Sequence, residues 1–517
     1  MRVILLKLLF VVFASQLTAQ QWPTPFEVEL EEVTWTDWPG LHSFAHGEDN
    51  GKWFIIGGRT GGMHSLIPPD PFPVAEANLE IRMFDPLSGE QWSRSIYELP
   101  DSIAAPLRGT NPQFLQRDNM LYYMGGYGKD TLTEDFITHP VLIAINLELL
   151  QDALESESSM DTSFRLLRDS LFYLCGAEAE WLNDTAFLFG GHEFTGEYSQ
   201  IPSINFEQRY PNELRKFVIN DDGINLSISD VSIIYDSLLF HRRDLSFEPL
   251  VFPDESFGLA AYSGVFQYES NTPWLSNIYF DSYSYWEDTL TQRFNNYTCP
   301  VLNMYDPEEQ AMYAILFGGI SQFWYDEGDS AVYEDLNIPF VNDISVVTRT
   351  ADGGTSQDLL PISFEHLYGS NAAFFPADGV LKYGNGVVDL SGIEAKTLVG
   401  YIFGGIDPEF PNFTLSVGSN ALYKVFVQPS APATELEMSE KIELTVFPNP
   451  VTADFISLEG IIPTGAVIEW MDIHGRIVSR IPANASISAP RVNGFYLFSV
   501  YTPDGSRIFK QEVVVNR

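Results

Sequence analysis

Short apolar runs ending in a glycine pair recur along this chain. Residues 53–58, 121–126, 186–191, 314–319 and 400–405 are closed by Gly57-Gly58, Gly125-Gly126, Gly190-Gly191, Gly318-Gly319 and Gly404-Gly405. Each run is too short for a helix and is preceded by turn residues, so each predicts a buried strand. Steps of 68, 65 and 128 residues separate the first four pairs. The last step is close to twice the one before it, which marks a degenerate copy. Residues 259–265, with Ser263-Gly264 in place of the pair, fill the gap. Six repeats with a period of this size predict a radial or solenoid array.

Each glycine pair follows a hairpin. Small residues open its first strand, an aromatic closes it, and Asp, Asn or Gly make the turn. Third strands are expected at 80–84, 141–147, 214–220, 277–281, 343–348 and 421–427. Fourth strands are expected at 92–99, 163–171, 225–235, 290–294 and 357–364. The sixth repeat lacks a fourth strand. Residues 26–33 alternate apolar and acidic side chains, so pairing them with 421–427 would close the array and protect both edges. Residues 429–442 read as a linker. Residues 443–517 hold seven or so short strands, enough for a small β-sandwich.

Met83-Phe84-Asp85 followed by Trp92 resembles the kelch-type β-propellers, which carry an aromatic-Asp step and a later Trp beside the glycine pair. The other repeats keep the glycines and mostly lack that Trp. The resemblance implies a six-bladed β-propeller over residues 20–428. The C-terminal segment resembles the type A sorting domain of the type IX secretion system. The matching residues are Phe447 with Pro448-Asn449-Pro450, Asp472 with Gly475-Arg476, Gly494 with Tyr496, and Lys510 ahead of three valines. Phe495 departs from the smaller aliphatic residue usual there. This resemblance implies passage through the outer membrane by the type IX machinery, then removal of the domain or attachment to surface polysaccharide. Asp-Ser or Asp-Thr steps such as Asp130-Thr131, Asp169-Ser170 and Asp236-Ser237 resemble the O-glycosylation signal of bacteria using that route; such steps also make ordinary turns.

Composition agrees with an exported all-β protein. Hydrophobic residues make up 45% of the 517, enough for a large core, and aromatics 14%. Residues 1–19 read as a secretory signal, with Arg2 and Lys7 before and within an apolar stretch. The formal charge is −42, so loss of those two cations leaves −44. Such a chain repels nucleic acid and anionic membranes. Membrane association is expected only through surface attachment, and the location is secreted or cell-surface, reached via the periplasm. The two cysteines, Cys175 and Cys299, take matching places in repeats three and five and are expected to be free, buried thiols.

No nucleophile elbow, phosphate loop or zinc-protease motif is present, and neither cofactor nor metal is expected. The starts of the first strands hold His42, Arg108, Cys175, the run His241-Arg242-Arg243-Asp244, Cys299 and His366. Glu178 and Glu180 lie on one strand face and could meet Arg242 or Arg243 from the next repeat. Either this is a structural ion pair, or Arg108, Glu178, Glu180, Arg242, Arg243 and Asp244 form a ligand clamp. Two functions stay open. One is a non-catalytic surface module binding a glycan, polymer or protein. The other is a carbohydrate-acting propeller enzyme of the oxidase or mutarotase type.

Overall fold

In a computed structural model the protein is all-β. The structure describes residues 22–516 apart from 34–36, 65–71, 132, 199–205, 413–414, 431–443, 460–465, 473–475, 484–486 and 502–506. The expected signal, residues 1–19, lies outside the described residues, as does nearly all of the expected linker. The chain divides into two compact units, with the boundary between Ser430 and Ala431.

The first unit contains six successive antiparallel sheets built on the same plan. The first strands are Ala45–Asp49, Gln113–Arg117, Cys175–Leu182, Ser246–Val251, Val301–Asp306 and Ala372–Pro376. The second strands are those that run into the glycine pairs: Lys52–Ile56, Met120–Met124, Thr185–Gly196, Phe257–Tyr262, Ala311–Ile320 and Thr397–Gly404. Third and fourth strands follow in order in the first five sheets. In the sixth, Leu422–Pro429 pairs with Phe26–Val33 from the other end of the unit, running from Phe26 opposite Pro429 to Val33 opposite Leu422. One fourth strand departs from expectation. In the fourth sheet it is Tyr285–Glu287, not residues 290–294. Asp281 accepts the backbone N–H groups of Tyr283 and Ser284 and turns the chain back at once. Phe294 instead gives its N–H to the Gln357 side chain of the fifth sheet.

The second strands are buried on both faces, which is why they read as unbroken apolar runs, while outer strands such as Leu226–Tyr235 are largely exposed. Ala311–Ile320 is buried at all its positions. Separate apolar clusters fill the spaces between successive sheets. One joins Phe54 and Met83 to Tyr123 and Ile143, and another joins Met124 to Leu188. A third joins Phe189 to Phe280, and a fourth joins Tyr262 to Leu316. A fifth joins Phe317 to Val425, Phe26 and Val28, and the last joins Phe403 to Trp53 and Phe84. The sixth sheet therefore packs against the first.

The glycine pairs have a structural reason. All ten glycines have positive φ, and the substitutes Ser263 and Gly264 do as well, at 48° and 86°. The second glycine of a pair gives its N–H to a carbonyl just ahead of the next sheet. These bonds run from Gly58 to Gly109, Gly126 to Leu174, Gly191 to Arg242, Gly319 to Tyr368 and Gly405 to Leu41, all between 2.8 and 3.0 Å. The first glycine lies against the same carbonyl: a Cβ on Gly318 would sit 2.0 Å from the Tyr368 oxygen. A left-handed backbone in contact with a neighbouring carbonyl leaves room only for glycine.

The second unit has a four-stranded sheet, with Ile477–Pro482, Val467–Asp472, Gly494–Tyr501 and Arg507–Val515 side by side. Thr445–Phe447, Phe455–Glu459 and Ile487–Ser488 form a three-stranded one. Trp470, Phe498, Val446 and Ile456 meet in one core drawn from both.

Candidate functional site

One residue at or just before the start of each first strand is held in the left-handed region. These are Ser43, Asn111, Gly176, Asp244, Thr298 and Asn371. Their backbones form a closed circle of six hydrogen bonds. Asn111 donates to Ser43, Gly176 to Asn111, Asp244 to Gly176, Thr298 to Asp244, Asn371 to Thr298, and Ser43 to Asn371. The distances lie between 2.6 and 3.4 Å. A left-handed residue turns its N–H and C=O sideways out of the strand, which lets each sheet bond to its neighbours at this point. The types that fill the circle are glycine and short polar residues, the ones that tolerate this conformation best.

The circle residues and the strands they introduce line a cavity of about 430 Å³. All six first strands contribute to its wall. Asn111, Gln116, Asn303, Asn371 and Asn385 supply amides, Phe114, Trp181 and Phe374 supply aromatic surface, and Glu178, Glu180, Glu248 and Asp244 supply carboxyls. Among the described residues no lysine or arginine lines it. Glu180 and Glu248 stand at the same place in successive sheets, four residues after Gly176 and Asp244 respectively.

Electrostatics in the cavity follow from this crowding. Burial, and then the nearby Glu248, Asp244 and Glu180, push the Glu178 carboxyl well above its ordinary range. Burial raises Glu180 to about 7, and burial with Glu180 beside it raises Glu248 to about 8. Asn303 donates to Glu248 at 2.8 Å and partly opposes that rise. His46, between the rings of Phe114 and Phe375 at 4.6 and 4.4 Å, is driven by burial down to about 3 and is neutral.

The structure divides the residues expected to form a clamp. Glu178, Glu180 and Asp244 line the cavity; Arg242, Arg243 and Arg108 do not. Arg242 is fully buried. It donates to the carbonyls of Leu239, Ser263 and Ser276 at 2.9, 3.0 and 2.7 Å and lies 4.4 Å from the Trp274 ring. It thus ties the approach to the fourth sheet to the degenerate Ser263-Gly264 step. Arg243 meets Asp244 at 3.2 Å, His192 at 2.8 Å and the Tyr198 hydroxyl at 3.4 Å. No ion pair joins either arginine to Glu178 or Glu180 among the described residues; those carboxyls face Glu248 instead. Arg108 bonds the Lys129 carbonyl at 2.8 Å.

Cys175 and Cys299 are free and buried, with burial raising both thiols to about 12. They do not occupy matching places. Cys175 precedes the circle residue Gly176, so its counterpart is Tyr297, before Thr298. Cys299 follows the circle residue. The other histidines have separate surroundings. His42 bonds Ser43 at 2.9 Å, His241 stacks on Tyr268 at 3.9 Å, and His366 lies near Tyr368 and Tyr423. The Asp-Ser and Asp-Thr steps are built into turns: Asp169 and Asp236 accept backbone N–H groups two residues on.

Sequence reasoning missed Glu248 and Asn303. Their signal was a polar residue inside an apolar first strand, counted from the short residue that opens it. A second cleft, about 410 Å³, lies under the hairpin Phe323–Asp326 and Ala331–Glu334, beside Trp324, Tyr325 and Asp343.

In the second unit Pro448, Asn449 and Pro450 follow the strand Thr445–Phe447, and Asn449 accepts the Val514 N–H at 2.9 Å. Asp472 accepts the Arg476 N–H at 3.0 Å, while Gly475 lies outside the described residues. Gly494 opens the strand that carries Tyr496, whose hydroxyl donates to the Val492 carbonyl at 2.9 Å. Lys510 lies within Arg507–Val515. No family model matches the chain. No curated protein matches it either.

Proposed function

We propose that residues 20–428 are a kelch-like six-bladed β-propeller, closed by the Phe26–Val33 strand, and that its central cavity binds a hydroxyl-rich glycan without transforming it. The observation that carries this reading is the cavity itself. All six first strands line it, and it sets planar amides and carboxyls beside aromatic surface. Sugar hydroxyls pair with amides and carboxyls, and sugar C–H faces lie against aromatic rings. A binding role is favoured over an oxidase or mutarotase role because His42, His241 and His366 each have different partners and none lines the cavity.

The chain is read as exported through the type IX machinery to the outside or the cell surface, with residues 443–517 as the sorting domain. The ordered sequence features from Pro448 to Lys510 support that reading. Two experiments test the proposal. A glycan array probed with the full secreted chain should give a defined set of ligands, and Asn303→Leu should lose them while melting within a few degrees of the parent. Unchanged binding by that variant moves the site out of the cavity. Cells expressing a chain that ends at Pro432 should hold it folded in the periplasm; surface display of that chain would refute the sorting role.

A further inference from the structure

We propose that the ligand of this cavity carries a protonated primary amine, seated among Glu178, Glu180, Glu248 and the side-chain carbonyl of Asn303. The inference rests on the cavity being the binding site. It goes further by fixing the charge of what enters.

The first observation is the surplus of acceptors over donors. Among the described residues the lining includes four carboxyls and no lysine or arginine. Asp244 is engaged by Arg243 at 3.2 Å. The three glutamates have no cation partner in any ion pair among the described residues, and His46 is neutral. Cys299, the other titratable group in the wall, is a protonated thiol. Lys382 does not line the cavity; it lies near Glu48 and Asp378 and donates from its ammonium to the Ala377 carbonyl at 3.2 Å. The cavity therefore repels an acidic glycan.

The second observation is independent of charge. Asn303 is only 7% exposed. Its amide nitrogen is committed to Glu248 at 2.8 Å, and its Oδ1 has no hydrogen-bond partner among the described residues. A buried amide oxygen without a donor is costly, so its position beside a carboxyl marks a place where a donor belongs. An ammonium group brings three N–H donors and one positive charge, which matches an amide oxygen flanked by carboxyls. A metal ion matches less well. Among the described residues no group of three or more His, Cys, Asp or Glu side chains is placed to hold one.

Titration provides a further check. Burial, with Glu180 beside Glu248 adding to it there, holds part of the Glu180 and Glu248 population protonated near neutral pH. An arriving cation favours the ionised forms, so binding must expel protons.

The test is calorimetric titration of the full secreted chain at about pH 5.5, where the glucosamine amines and the Glu180 and Glu248 carboxyls all hold their protons, in two buffers of different ionisation enthalpy. The probes are a glucosamine tetramer, its fully N-acetylated counterpart and 1,5-diaminopentane. The glucosamine tetramer should bind at least about tenfold more tightly than the acetylated one and release protons. Glu178→Gln with Glu248→Gln should remove that preference. Binding of the diamine as well makes any alkylammonium sufficient; binding of the glucosamine tetramer without the diamine makes the amine part of a sugar. Either supports the inference. Equal affinity for the two tetramers, or no proton release from the parent chain, overturns the amine and leaves the glycan reading standing. Failure of all three probes overturns the amine, and an empty glycan array alongside it overturns the glycan reading too. The buffer comparison on the parent chain decides the matter even where the double variant fails to fold.

Discussion

The Phe26–Val33 strand offers the sharpest test of the architecture. Phe26 and Val28 are each 2% exposed, and they reach across to the fifth sheet, where Phe26 meets the Tyr313 ring edge-on at 5.1 Å. Truncating a buried Phe to Ala costs about 3–5 kcal/mol, and losing a buried Val side chain about 1.5–3. The two share one cluster, so the sum is not strictly additive. Phe26→Ala with Val28→Ala should therefore destabilise by about 4–8 kcal/mol. With an unfolding entropy of about 2.1 cal/mol/K per residue, a unit of roughly 400 residues loses about 1 °C per kcal/mol. The melting temperature should fall by about 5–10 °C in differential scanning calorimetry. Glu29→Ala with Glu31→Ala serves as control. Those side chains face water and pair with Lys396 and Lys424, so the change should stay within about 0.5 kcal/mol. A double variant melting within 1 °C of the parent, or a control that falls as far, would refute the closing role of this strand.

Three further expectations follow from other residues. Gly318→Ala should destabilise by about 3 kcal/mol or more, because its Cβ would meet the Tyr368 oxygen at 2.0 Å; Gly223→Ala, at φ 84° with nothing within 4 Å, should lose only about 1–2 in parallel denaturant melts. Equal losses would mean that the contact with the next sheet plays no part. Arg242→Ala strips donors from one buried and two part-buried carbonyls and should cost about 3 kcal/mol or more, read as a melting shift; a variant with parental stability would leave that clamp without weight. In the unfolded chain Glu180 and Glu248 ionise near 4.5, but in the folded protein near 7 and 8. Between those values the folded state binds more protons, so stability should fall as pH rises from about 5 to about 8, and Glu248→Gln should flatten the slope; a rising slope would contradict the buried, mutually repelling carboxyls.

The sequence by itself determined what depends on local pattern. The glycine pairs located all five regular second strands. The spacing located the sixth at Ser263-Gly264, because a left-handed step against a carbonyl tolerates few residue types. Alternation in residues 26–33 named the strand that pairs with Leu422–Pro429. Tertiary structure decided what depends on register between sheets. The fourth sheet closes at Tyr285–Glu287 because a side-chain cap at Asp281 reverses the chain early, and apolar content alone could not rank that short strand above residues 290–294. Cys175 and Cys299 look equivalent when aligned by neighbours, yet the circle of backbone bonds sets them on either side of it. Arg242 and Arg243 form the densest charge in the sequence at a first-strand start, yet carbonyls and His192 take them up away from the cavity. Glu248 and Asn303 gain their meaning only when the fourth and fifth sheets bring their first strands side by side. Which of several adjacent polar side chains faces a shared cavity is set by backbone direction at the circle, and that direction is fixed by bonds between residues more than fifty positions apart.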